Sequence, residues 1–177
     1  TFEFQRLRRI SHLGGTKMVF ASSEHSRFMH CLGTYEIARK IINSVENVRK
    51  NTTEEDRLVL MIAGLLHDIG RRFGVRHLGH VSDGYSFMMS LGFDEVAKIC
   101  LTHSFSNNNT DDYIGKFDTT EDELKLIQEK LKIVEFDDYD RLIQLCDSLA
   151  GGECIMTIED RMNDVKNRYG FYPESKW

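Results

Sequence analysis

Apolar side chains recur at three- and four-residue spacing along almost the whole of this chain, and proline occurs once, at Pro173. Alternation of β-branched and polar residues is nearly absent, so the punctuation of an all-β fold is missing. The expectation is an all-α, single-domain helical bundle spanning residues 1–177. A chain of this length buries about 70% of its unfolded surface, enough for a core without staples. Helices are predicted at about 3–13, 24–49, 52–69, 78–91, 93–104, 121–132, 138–150 and 156–169, with a polar loop over 105–119. Thr52 and Glu55 fit a capping box at the start of the third helix, and Gly70 is placed to end it. The body of that helix, Leu58 to Leu66, is apolar on every side and reads as the centre of the bundle.

Charge narrows the partners. Lys plus Arg number 23 against 28 Asp plus Glu, a net charge of −5, so the chain has no general pull on a nucleic-acid polymer. A small phosphorylated ligand is still compatible, because the field inside a pocket is local. No apolar run approaches the roughly 18 residues of a membrane span, and the first residues lack an apolar signal region. Cys31, Cys100, Cys146 and Cys154 form no C-x-x-C pair and sit in apolar segments, as expected of reduced, buried thiols in a cytoplasmic protein.

Several polar residues interrupt the apolar pattern. His67 and Asp68 break into the end of the predicted central helix. His30 shares a stripe with Thr34, Ile37, Ile41 and Val45. His80 heads the stripe of Gly84, Phe87, Met88 and Leu91, and His103 closes that of Val96, Ile99 and Cys100. Asp147 borders the apolar face built from Ile143 and Cys146. A lone inward histidine is more often a hydrogen-bonded core residue than a ligand. Six inward imidazoles and carboxylates on five helices instead point to a divalent metal site, because one cation offsets the burial cost of all of them.

His30, the adjacent His67-Asp68 and the distant Asp147 form an H…HD…D pattern that resembles the HD-domain metal-dependent phosphohydrolases. The flanks agree: Glu24-His25-Ser26-Arg27-Phe28-Met29 precedes the first histidine, and Leu66 and Ile69-Gly70-Arg71 flank the doublet. The extra histidines His80 and His103 are similar to those of members with two metals. That resemblance implies one ion on His30, His67, Asp68 and Asp147, and another on Asp68, His80 and His103, with Asp68 bridging. The opening Phe4-Gln5-Arg6-Leu7-Arg8-Arg9-Ile10, with Arg27-Phe28 before His30, resembles deoxynucleotide triphosphohydrolases, although this chain lacks their long insertions.

The resemblance implies hydrolysis of a phosphate ester or anhydride of a small molecule, with a nucleotide as the expected substrate. The metal would be one or two ions of Fe, Mn, Ni, Co, Zn or Mg. Asp68 would orient the nucleophile, and Arg27 would hold phosphate. Arg71 is expected either at phosphate, with Arg72, or as a solvated charge at a helix C-terminus. His77 would act as a proton donor to substrate or face solvent. His12 and His25 match no ligand position. One metal, with His80 and His103 acting on substrate, is the competing arrangement, and a metal-bound sensing module without fast turnover is the alternative function. Expected partners are a small phosphorylated substrate, with a homodimer left open, and neither nucleic acid nor membrane.

Overall fold

The computed structural model describes residues 1–12, 25–111, 113–151 and 154–170. Leu13, at the end of the first expected helix, Glu24, before the first histidine, and Asp112, in the expected polar loop, lie outside the described residues, as does Pro173. The described residues form an all-α fold: α1 (Phe2–Arg6), α2 (Arg27–Ser44), α3 (Glu46–Asn51), α4 (Glu54–Leu66), α5 (Gly79–Ser90), α6 (Asp94–Thr102), α7 (Glu121–Ile133), α8 (Asp138–Leu149) and α9 (Ile158–Tyr169). Short 3₁₀ turns follow α1 at Leu7–Arg9 and α4 at Ile69–Phe73. Two isolated bridges, Ser11 with Ser26 and Ala150 with Ile155, are the extended pairings among the described residues. Among the described residues, no helix is long and apolar enough to cross a membrane.

The single helix expected over 24–49 is two. Val45 adopts an extended conformation, and α3 turns away. Arg57 fixes the bend by donating to the carbonyls of Arg49 and Thr52. Those contacts recruit Thr52 to the end of α3, where its hydroxyl donates to the Val48 carbonyl. The capping box therefore forms one residue later than expected, between Thr53 and Asp56.

The helix that follows also departs from expectation. It ends at Leu66, with His67 as its C-cap, and Leu60, Ala63 and Gly64 are its buried residues. Leu58 is 54% exposed, so α4 is central on one side only. Gly70 does not stop it either. That glycine lies inside the 3₁₀ turn, where a Cβ would sit 1.9 Å from the His80 carbonyl oxygen. Its role is to admit the backbone of α5, and thereby His80, against the doublet.

Three apolar clusters surround the end of the bundle where the polar residues gather. Ile37, Ile42, Leu60, Ile99 and Ile143 join α2, α4, α6 and α8. Leu7, Phe28, Ile69, Met88 and Val96 tie the N-terminal segment to α2, α5 and α6. Leu78, Val81, Leu101, Phe105, Ile127 and Leu131 anchor α7. Polar fastening is specific as well: fully buried Asp140 on α8 accepts from the Thr102 hydroxyl at 2.6 Å and pairs with Lys98, both on α6. Cys31, Cys100 and Cys146 are buried, but Cys154 is exposed, against expectation, because it lies in the connection before α9 rather than on a helix stripe.

Candidate metal centre

Each of the four buried histidines is oriented by a main-chain carbonyl. His67 Nδ1 lies 2.9 Å from the Gly64 carbonyl, one turn back along α4. His30 Nδ1 is 3.3 Å from the Ala150 carbonyl, at the end of α8. His103 Nδ1 is 3.0 Å from the Cys100 carbonyl, and His80 Nδ1 meets the His77 carbonyl. A carbonyl can only accept, so each Nδ1 carries the proton and each Nε2 presents a lone pair. All four Nε2 atoms turn toward the same interior region.

The carboxylates meet them there. His30 Nε2 is 2.7 Å and His67 Nε2 3.4 Å from the same Asp147 oxygen. His80 Nε2 is 3.3 Å and His103 Nε2 3.9 Å from Oδ1 of Asp68, and the two Nε2 atoms lie 3.1 Å apart. Asp68 joins two sets of donors, His30–His67–Asp68 and Asp68–His80–His103, each with its ligand atoms within 4.8 Å of one another. Asp147 stands at the rim with its side chain 24% exposed.

This donor set fits a divalent cation. Two lone pairs facing one another across 3.1 Å repel unless something positive sits between or beside them. His67 Nε2 is moreover buried without a hydrogen-bond partner, at a residue only 1% exposed. Ligand atoms each about 2.1 Å from one ion lie at most about 4.2 Å apart, which the separations on Asp147 and Asp68 satisfy. Imidazole nitrogen with carboxylate oxygen suits transition metals better than Ca²⁺.

Electrostatics keep every ligand except His67 in its binding form. Burial pushes His80 well below the ordinary imidazole range and His103 down to about 4, so both are neutral near pH 7. Burial lowers His30 as well, against the pull of Asp147. His67 is raised because the nearby carboxylates Asp147 and Asp68 outweigh its burial. Desolvation would raise Asp68, but the Arg71 and Arg27 guanidiniums hold it well below the usual carboxylate range. Desolvation would raise Asp147 as well, but the His30 and His67 rings set against its carboxylate hold it well below the usual carboxylate range.

The two arginines grip opposite oxygens of Asp68. Arg27 donates to Oδ2 at 2.7 Å and, through its other terminal nitrogen, to the His12 carbonyl at 2.8 Å. Arg71 donates to Oδ1 at 2.7 Å and to the Arg76 carbonyl. Arg71 is buried, which rules out its reading as a solvated helix-terminal charge. Arg72 instead packs over the rings of Phe73 and Phe87. His77 reaches the site through its main chain: its carbonyl orients His80, and its N–H donates to Asp118.

His12 matches no ligand position in the sequence, yet its ring packs at a tilt against His30 with centroids 4.3 Å apart, and against His25 at 4.5 Å. No helical stripe signals this. The pairing of Ser11 with Ser26 brings the segments together, and the Arg27 N–H donates to the Ile10 carbonyl.

The sequence profile of the HD domain matches residues 27–152, most of the chain and every residue of both donor sets. The chain belongs to the HD-domain family. Over 70 residues it is 49% identical to the uncharacterized protein YwfO of Bacillus subtilis, a stretch covering 40% of this chain and 16% of YwfO. Over 72 residues it is 40% identical to the deoxynucleoside triphosphate triphosphohydrolase SAMHD1 of Danio rerio, covering 40% of this chain and 12% of that protein. The HD-domain chain thus matches only a small part of either relative. A crystal structure of a hypothetical protein from Aquifex aeolicus aligns with 97% of this chain and 40% of that one, at 23% identity and a TM-score of 0.44.

Proposed function

We propose that this HD-domain chain is a metal-dependent phosphohydrolase acting on a small phosphorylated molecule, with a nucleotide as substrate. One observation carries the reading: four Nε2 lone pairs and two carboxylates converge beside two guanidiniums at one end of the bundle. The resemblance over part of the chain to a deoxynucleoside triphosphate triphosphohydrolase supports the nucleotide.

His30, His67, Asp68 and Asp147 would hold the first ion, and Asp68, His80 and His103 the second. Bound there, a divalent ion would lower the pKa of a coordinated water and neutralise charge on phosphoryl oxygens. The chain's own residues do the rest. Asp68, fixed by two arginines, keeps one lone pair on each oxygen for the two ions and so would orient the nucleophile through them. Arg27, its side chain 15% exposed, is the guanidinium that reaches a substrate phosphate, by exchanging one of its present hydrogen bonds. His77, half-buried at the turn into α5, is a further substrate contact. The Nδ1–carbonyl bonds keep all four imidazoles in one tautomer through the reaction.

The test is phosphate release from a panel of nucleoside and deoxynucleoside mono- and triphosphates after reconstitution with Mn²⁺, Fe²⁺, Ni²⁺, Co²⁺ or Mg²⁺. Turnover that disappears in His67→Ala supports the proposal. Tight metal and nucleotide binding with no turnover under any ion would replace it with a sensing module.

A further inference from the structure

The two donor sets are not equivalent, and the difference lies in Arg71. Among the described residues, the orphaned nitrogen of the ligand cluster, His67 Nε2, belongs to the set of His30, His67 and Asp68. In the other set the lone pairs are already engaged. His103 Nε2 lies 3.1 Å from the Ser104 hydroxyl, which can donate to it. His80 Nε2 lies 3.4 Å from Nη2 of Arg71. The same guanidinium donates through Nε to Asp68 Oδ1, the oxygen that faces His80 and His103. A single planar cation thus touches the carboxylate and one imidazole of the second set.

The local sequence builds this contact. Arg71 follows Asp68 by three residues, and the 3₁₀ turn has three residues per turn, so the two side chains fall on one line. Nη1 is anchored behind by the Arg76 carbonyl. The guanidinium cannot shed its proton to make way for another cation. Arg27 makes no equivalent claim on the first set: its donors go to Asp68 Oδ2 and to the His12 carbonyl, away from the imidazole nitrogens.

We propose that Arg71 is the resident cation of the Asp68–His80–His103 set, so that this chain binds one ion tightly and a second only against the charge of Arg71. The inference rests on the metal-centre reading and goes further by setting the stoichiometry. A dication entering the second set meets a fixed positive charge a few ångströms away, in a buried site where screening is weak. Arg71 has to surrender its bonds to Asp68 and His80 before that ion is fully coordinated.

The experiment counts ions. Chelator-treated protein is titrated with Mn²⁺ by equilibrium dialysis and elemental analysis, with paramagnetic resonance reporting coupled ion pairs. Wild type is expected to take one ion tightly and a second with a Kd at least tenfold weaker. Arg71→Met should tighten the second Kd at least tenfold and produce the coupled-pair signal, with the first Kd within threefold of wild type. Arg71→Lys keeps the charge and should retain the weak second site. Adding His80→Ala to Arg71→Met should remove the gain. Arg71→Gln takes the place of Arg71→Met if circular dichroism shows the latter unfolded. Two equally tight ions in wild type, or an unchanged second Kd in the uncharged variants, would overturn the proposal and leave the metal centre standing. No bound ion in any of these proteins would overturn the metal-centre reading itself.

Discussion

A carbonyl on Nδ1 and a lone pair on Nε2 make each buried histidine a committed acceptor, and the consequence is measurable with and without metal. His67→Ala removes the nitrogen that lacks any hydrogen-bond partner, and Asp68→Ala removes the carboxylate common to both sets. Both should lose tight metal binding, seen by elemental analysis, and fall to background in phosphate release. Without metal, the depressed pKa of His103 sets a pH dependence. Its ring titrates near 6.5 when unfolded and about 4 when folded, so the unfolded chain binds more protons between those values. The stability due to His103 is complete above about pH 6.5 and is lost as pH falls toward 4, on the order of 3 kcal/mol. Urea melts of chelator-treated protein from pH 7.5 to 4.5 should show this fall on top of that due to His80 and His30, and His103→Gln should make it shallower; an unchanged slope would refute the assignment. The ligand histidines could be read from the sequence because a polar residue on an apolar stripe is conspicuous. His12 could not, because its place beside His30 depends on pairing between two segments that carry no periodic signal.

At the scale of elements, the site depends on how α5, α6 and α8 are held against the end of α4. Asp140 joins α8, which carries Asp147, to α6, whose C-cap is His103. Its oxygens accept from the Thr102 hydroxyl, from the Asp137 N–H and from Lys98. Asp140→Ala strands a buried hydroxyl and a helix cap, so a loss of about 2–3 kcal/mol is expected in urea melts. Gly70→Ala acts elsewhere. Its Cβ meets the His80 carbonyl and the Gly84 nitrogen, both backbone, so α5 must shift. An overpacking cost of about 1–3 kcal/mol is expected. Binding of the second ion should weaken through displacement of His80, whereas an unchanged second Kd would mean that the close approach does not position the ligand. Helix identity was legible from periodicity almost throughout. The boundaries that slipped did so for tertiary reasons: Arg57 pulls α3 back onto α4 and moves the cap from Thr52 to Thr53, and Gly70 matches a helix stop in sequence although its real demand is space.

Taken whole, the ligands come from α2, the end of α4, α5, the end of α6 and α8, separated by long stretches of chain. An unfolded chain cannot gather donors so far apart, so an ion held by this set binds the folded state almost alone. At a free concentration one hundred times Kd, that linkage is worth about 2.7 kcal/mol. For a protein of this size each kcal/mol moves Tm by roughly 2–4 °C, so saturating metal should raise Tm by about 5–11 °C over the chelated protein. The increase should grow with the logarithm of metal concentration rather than reach a plateau, because mass action continues beyond saturation. Calorimetry across a hundredfold range of Mn²⁺ tests this. His67→Ala should abolish the dependence, whereas Glu36→Ala, which removes an exposed carboxylate paired with Arg39 on α2, should keep it in full. The contrast separates the buried cluster from the acidic surface, since a chain with net charge −5 attracts cations weakly everywhere. Equal metal-dependent rises in wild type and His67→Ala would place the stabilising ions on that surface and remove the cluster from the account.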